Sequence, residues 1–367
     1  MFMSKRTHSV MWIACTLSML SPALQAASPF PALDRPALQA RAPERQVMTA
    51  AAQAGDRLVA VGERGVVVLS DDGGRTWRQA RRVPVSTTLT AVSFVHHMLG
   101  WAVGHGGVVL HTHDGGETWE KQADGMALAN AASDAAAEAA RRHPESQRAA
   151  QDLEAAKLLI KDGADKPLLD VQFTDALHGR IVGAYNLFFE TNDGGKTWTS
   201  GANRLENPKS LHLYAIRSRG SRVYIVGEQG QLHRSVDGGH TFEALPTPYK
   251  GSLFSLDLAD KGDVVIAGLR GNAFRSVDDG ASWVKIDDAP PVSFISVSAF
   301  ADGGVLLGNQ AGQVFLDRPG FALTALSVPP LFPLAGMVLL KDESLLALGA
   351  GGVVRVPLEL GKSKAPK

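Results

Sequence analysis

The chain has 367 residues, 45% of them apolar, with 37 basic and 37 acidic side chains and a formal net charge of zero. That length and apolar content suffice for a large core, in two domains or in one large all-β domain. The balanced charge gives no sign of a nucleic-acid partner, and a single cysteine excludes a disulfide framework within the chain and a thiolate cluster for a metal.

Lys5, Arg6 and His8 precede an apolar run from Val10 to Leu20, followed by Ser21, Pro22 and small residues up to Ala26 and Ala27. This is the layout of a secretory signal, so residues 1–26 are expected to be cleaved and the mature chain to be periplasmic. An uncleaved anchor is the alternative. The run is only about half of the ~20 apolar residues a spanning helix needs, and no later segment could span a bilayer. Cys15 lies inside the run behind Trp12, Ile13 and Ala14, a poor lipoprotein cleavage box, so the mature chain should contain no cysteine.

Beyond the N-terminal segment 27–46, one turn motif recurs, S/T-x-D-x-G-x-T/S-W/F. Its five copies centre on Asp72, Asp114, Asp193, Asp237 and Asp278 and end on Trp77, Trp119, Trp198, Phe242 and Trp283. The aspartate should accept hydrogen bonds from turn amides, the glycine should take a conformation closed to other residues, and the terminal aromatic should wedge into the packing. These residues are therefore expected to be structural. Upstream of each copy, two β-rich strands meet at a glycine, and that glycine acts as a ruler. It falls at Gly62, Gly104, Gly183, Gly227, Gly268, Gly308 and Gly349, at intervals of 42, 79, 44, 41, 40 and 41 residues.

A period near 41 with three or four short strands per unit is the signature of propeller blades. The expected fold is therefore all-β, a seven-bladed β-propeller over residues 47–358 with a tail at 359–367. Units six and seven lack the motif, reading Leu316-Asp317-Arg318-Pro319-Gly320-Phe321 and Arg355-Val356-Pro357. The last unit ends soon after its third strand, so residues between Phe30 and Ala42 are expected to supply its fourth.

The long interval places an Ala-, Glu-, Arg- and Gln-rich insertion at 126–163 between the second and third units. Met126 to Arg142 and Glu145 to Lys161 should form a helical hairpin, with Pro144 in the first turn of the second helix and Asp162-Gly163 closing it. Ala149, Leu153, Ala156 and Ile160 share one face of that helix and must be buried.

In such a ring, the glycine turns, the links between blades and the insertion emerge on one face, and the Asp-containing turns on the other. The glycine turns present Arg64, His105, Tyr185, Glu228, Arg270 and Gln310, and a link adds Tyr249 and Lys250. These form a polar rim suited to protein recognition.

Enzyme readings fare worse. His105 and the His111/His113 pair lie at opposite ends of one strand, too far apart at ~3.3 Å per residue to share an ion. Neither a metal nor a cofactor is expected. Asp-containing boxes also occur in sialidases and other glycoside hydrolases, the alternative reading, but no arginine motif of the sialidase type is found near the first blade. Tyr185 with Glu228 is the one pairing that could serve such chemistry. No phosphate loop, nucleophile elbow or H-E-x-x-H helix occurs.

The repeated D-G-G-x-T-W boxes, the V-G-x-x-G turns, and Gly268-Leu269-Arg270-Gly271-Asn272 followed by Arg275-Ser276 resemble the photosystem II stability/assembly factor family of BNR-repeat propellers over about residues 45–358. The resemblance implies a lumenal or periplasmic chaperone-like factor that binds a membrane-protein subunit during assembly through an arginine-rich patch, and the chain is expected to be a monomer. Arg270 and Arg275 match that patch, with Arg64 and Arg180 as further candidates. The Ala-rich insertion is similar to the non-photosynthetic bacterial branch, whose members accompany export permeases, which puts photosystem assembly itself in doubt.

Overall fold

A computed structural model of the chain describes residues 30–259, 262–300 and 302–359. The expected leader, its cleavage site and Cys15 lie outside the described residues. Seven antiparallel sheets follow one another, at 48–79, 89–123, 168–200, 213–244, 253–285, 294–325 and 334–356. We number them one to seven, and name their strands inner, second, third and outer in chain order.

Each inner strand lies beside the inner strand of the next sheet, and that of sheet seven (Leu334–Leu339) lies beside that of sheet one (Met48–Ala54). Seven apolar clusters of described residues fill the gaps between neighbouring sheets. A linear stack of seven sheets would have six such gaps. The additional cluster, where Met48, Leu58 and Val68 meet Leu346, Leu348 and Val353, therefore closes the ring.

The second strands explain why the sequence shows continuous apolar runs and not alternation. Val59-Ala60-Val61, Val223 to Val226 and Leu345 to Leu348 are covered on both faces by neighbouring sheets. Each such Val or Leu contributes roughly 1.5–3 kcal/mol of burial. Outer strands are mostly two residues long and exposed, leaving little edge for unwanted pairing.

The five Asp-containing turns share one hydrogen-bond pattern. In the first, the Ser70 hydroxyl donates to Asp72 Oδ1 (2.8 Å) and accepts the Gly74 N–H (2.7 Å). Asp72 Oδ1 also accepts the Thr76 N–H (2.9 Å), and Oδ2 accepts the Thr76 hydroxyl (2.6 Å). The same set forms around Asp114, Asp193, Asp237 and Asp278. The fifth residue of the turn has φ between 86 and 95°, which only glycine adopts without strain. Hydrogen bonds from Ser282 and Ser276 hold the Asp278 carboxyl at about 2.

The motif's aromatic enters the cluster shared with the preceding sheet. Trp119 is fully buried, with Phe94 edge-on at 6.1 Å and its indole N–H on the Gly116 carbonyl (3.0 Å). Trp198 packs into the cluster between sheets two and three, Phe242 into that between three and four, Trp283 between four and five, and Trp77 between seven and one.

Among the described residues sheet seven has three strands, and residues 30–42, expected to close it, form no strand. Residues 30–46 instead run irregularly along the glycine-turn ends of sheets two, one and seven, touching the outer strands of sheets one and two. Leu33 is buried against Gly106, the Leu38 N–H donates to the Arg64 carbonyl, and the turn Pro43–Arg45 abuts Gly352. Four prolines at positions 31, 36, 43 and 84 in and beside this path favour turns over ladder pairing.

Helix α1 (Gly125–Arg142) and helix α2 (Gln147–Asp162) lie between sheets two and three and pack on each other. Asp124 caps α1 by accepting the Met126 and Ala127 amides. Pro144 lies in the connecting turn, not in the first turn of α2, which Ser146 opens by accepting the Ala149 amide. Ala149 and Ala156 are buried, Leu153 and Ile160 half-buried. No described helix is long and apolar enough to cross a membrane.

Candidate binding face at the glycine turns

Six of the seven ruler glycines are needed because backbone passes too close for any side chain; in sheet six Asn309 holds the equivalent position, and a Cβ on Gly308 would meet the Met337 side chain instead. A Cβ on Gly227 would sit 2.3 Å from the His212 carbonyl oxygen, and one on Gly62 2.0 Å from that of Val47. The same carbonyls accept the N–H of the next turn residue: Glu63 to Val47, His105 to Thr88, Ala184 to Pro167, Glu228 to His212, Leu269 to Ser252 and Gln310 to Ser293. Each turn is thereby fixed to the chain entering its own inner strand.

In five of these six turns the next residue lies in left-handed backbone. Arg64, Tyr185, Gln229 and Arg270 have φ of 54–58°, a conformation uncommon outside glycine. All four side chains are exposed on one face, with His105 and Gln310 from the neighbouring turns.

The richest sector spans sheets three to five. The exposed Tyr185 ring stands edge-on to His212 at 4.7 Å, and Lys166 Nζ lies 5.2 Å from the Tyr185 centroid. His212 continues to Tyr214 (6.3 Å), and Tyr214 to Phe254 of the next sheet (5.2 Å). The Tyr185 N–H donates to His212 Nδ1 at 3.0 Å, which leaves the ring proton on Nε2. The His212 N–H donates to Glu228 Oε2 at 3.2 Å. Burial, with the Glu228 carboxylate nearby, holds the Tyr214 phenol above its ordinary range, so it remains a donor.

Lys166, His212, Tyr214 and Phe254 are absent from the sequence-based candidates. Tyr214 and Phe254 are the second residues of their inner strands, as are Thr49 and Thr90, whose hydroxyls bond carbonyls of the adjacent inner strand. That position falls 13 or 14 residues before the ruler glycine in every repeat, so the repeat alignment itself could have found it.

Two expected partner-binding residues are elsewhere. Arg275 is buried between sheets five and six, with its guanidinium on Asp263 (2.8 Å), Asp317 (2.7 Å) and the Gly303 carbonyl (2.9 Å). Arg180 joins Glu190 (2.8 Å) to the Gly238 carbonyl between sheets three and four. Arg275 follows Arg270 by five residues, about 16 Å of strand, enough to carry it from the glycine turns to the opposite face. Tyr249 is half-buried, donating its hydroxyl to the Leu269 carbonyl (3.2 Å), while Lys250 beside it is exposed.

Of the enzyme alternatives, Tyr185 and Glu228 both contact His212, and no hydrogen bond joins the phenol to the carboxylate among the described residues. No described group of three or more His, Cys, Asp or Glu could hold a metal ion. His111 stacks on Trp101 at 4.9 Å, and burial lowers it to about 4.

Comparison with solved structures gives the fold. A structure described as YCF48 bound to D1 peptide superposes with a TM-score of 0.61 at 16% identity, over 88% of this chain and 99% of that one. YCF48 from Cyanidioschyzon merolae gives 0.58 at 15%, over 85% and 95%. The WD40 β-propeller domain of Doa1 gives 0.61 at only 9% identity, over 90% and 97%, so the shared feature is the propeller architecture.

In sequence, the photosystem II assembly lipoprotein Ycf48 of Synechococcus sp. is 32% identical over 124 residues, 33% of this chain and 37% of the relative. That of Parasynechococcus marenigrum is 33% identical over 193 residues, 41% of this chain and 58% of the relative. The chain thus spans between about a third and three-fifths of the length of these curated relatives. The model of the photosynthesis system II assembly factor YCF48 family matches residues 38–128 and 150–250, more than half of the chain, leaving out residues 129–149, which are most of α1, the connecting turn and the start of α2. It is a family of assembly factors and not of enzymes, and this chain belongs to it.

Proposed function

We propose that this chain is a non-enzymatic monomeric scaffold that holds a segment of an inner-membrane protein while its complex is assembled. Each sheet is one blade of a seven-bladed propeller, and the helical hairpin, inserted between the second and third blades, flanks the binding face. Export through residues 1–26 to the periplasm fits the lipoprotein names of the curated relatives. The observation that carries the reading is the sector of Tyr185, His212, Tyr214 and Phe254 with Lys166, Glu228 and Arg270 around it: fixed aromatic surface beside charges of both signs, on pinned turns. Such a surface suits an extended peptide, and one solved relative is described as bound to a peptide. The insertion, as in the non-photosynthetic branch, favours an export permease as the complex served.

Immobilised mature chain should retain a defined membrane protein from detergent-solubilised inner membranes, identified by mass spectrometry. Tyr185→Ala with Arg270→Glu should abolish retention while the thermal midpoint stays unchanged. Full retention by the folded double variant would place binding elsewhere.

A further inference from the structure

Among the described residues, sheet seven has no strand at its outer position. In five other sheets the same bond ties the chain leaving the outer strand to the third strand. The N–H groups of Ala80, Gly201, Leu245, Ile286 and Leu326 donate to the carbonyls of Val67, Phe188, Leu232, Ala273 and Val314 at 2.8–2.9 Å. In sheet two the pair Val109 and Ala123 takes that place. The equivalent carbonyl in sheet seven belongs to Val353, on the third strand Gly352–Val356, and among the described residues no strand pairs with its outer side.

Burial at the next register position measures what is missing. Val68, Leu110, Phe189, His233, Phe274 and Phe315 are 0–5% exposed, whereas their counterpart Val354 is 41% exposed. Beside this edge is a cleft of about 670 Å³ whose lining includes Glu44, Arg45, Arg75, Trp77 and Arg355. Arg45 is 81% exposed at its side chain. Three arginines against one glutamate leave the cleft net cationic, with Glu44 3.8 Å from Arg45 and Asp342 engaging Arg355.

We propose that the third strand of sheet seven accepts an extended, acidic segment of a partner polypeptide as the fourth strand. The outward carbonyl and amide of Val353 and those of Arg355 would pair with its backbone, as Val67 and Leu69 face the outer strand of sheet one. One apolar side chain of the segment would cover Val354, and its acidic side chains would face Arg45 and Arg75. Charge argues against self-completion: after Glu359 the sequence carries Lys362, Lys364 and Lys367 and no acidic residue. Since the outer strands of the other sheets pair over two to four residues, the segment need be no longer.

The probe is a fluorescein-labelled synthetic peptide alternating glutamate and valine, titrated onto the full mature chain by anisotropy at low and physiological ionic strength. Saturable binding is expected, weakened by salt. Methylating alternate peptide amides should weaken it by roughly tenfold or more, because the pairing bonds go while the charge stays. Arg45→Glu with Arg75→Glu should weaken it similarly and remove most of the salt dependence. Tyr185→Ala with Arg270→Glu should leave it unchanged, which separates this edge from the face at the glycine turns. Equal affinity for the methylated peptide would overturn the proposal. So would binding that emerges only after residues 360–367 are deleted, since the chain's own tail would then occupy the edge, or a concentration-dependent dimer that the peptide does not dissociate.

Discussion

Replacing His233 with phenylalanine tests how the interior of the ring responds to acid. His233 is fully buried in the third strand of sheet four, and neither ring nitrogen has a hydrogen-bond partner among the described residues. The matching register position in sheets three, five and six holds Phe189, Phe274 and Phe315, so an aromatic ring of this size fits the site. Burial lowers the imidazole from 6.5 to about 4. The unfolded chain therefore binds a proton near pH 6.5 that the folded chain refuses until about pH 4, and stability falls as pH falls through that window. At about 1.36 kcal/mol per pH unit the whole window is worth about 3 kcal/mol, of which about 2 is lost by pH 5. Urea unfolding followed by tryptophan fluorescence at pH 7 and pH 5 should show His233→Phe more stable than the parent at both, by an increment about 2 kcal/mol larger at pH 5. The pH 7 gain, of about 1–2 kcal/mol, comes from removing two unpartnered nitrogens. An increment identical at the two pH values would refute the assignment of a neutral buried imidazole. His111, lowered likewise to about 4, keeps its own share of acid sensitivity in the variant.

Arg275→Ala should destabilise the chain by about 3–5 kcal/mol, since it strands Asp263 and Asp317 inside the gap between sheets five and six; replacing all three with apolar residues should recover most of that, as calorimetry would show. Asp193→Ala should cost about 1–3 kcal/mol through the lost turn bonds, read from the urea midpoint. The Thr197 hydroxyl and amide hold Asp193 at about 2 against the opposing effect of burial, so its contribution is present above pH 4 and lost as pH falls toward 2, below the histidine window.

The repeat and its turn chemistry were legible because both are local. An aspartate four residues before a hydroxyl, with glycine between, closes its own hydrogen bonds whatever lies outside the turn, and five copies do so alike. The aromatic face was less legible, since Lys166, His212, Tyr214 and Phe254 come from three successive links and inner strands that meet only when the ring forms. Arg275 shows the converse failure. It is near Arg270 along the chain, but a strand converts five residues into the full thickness of a blade.

Sequence by itself determined the repeat length, the number of ruler glycines and the residues that build each turn, because these depend on contacts within one repeat. Only the tertiary structure decided which charged side chains face solvent and which are sealed between sheets, and that residues 30–46 run along the glycine-turn ends without pairing to sheet seven. Those outcomes depend on packing between elements far apart in the chain, where the fit of a whole surface outweighs the preference of any one segment.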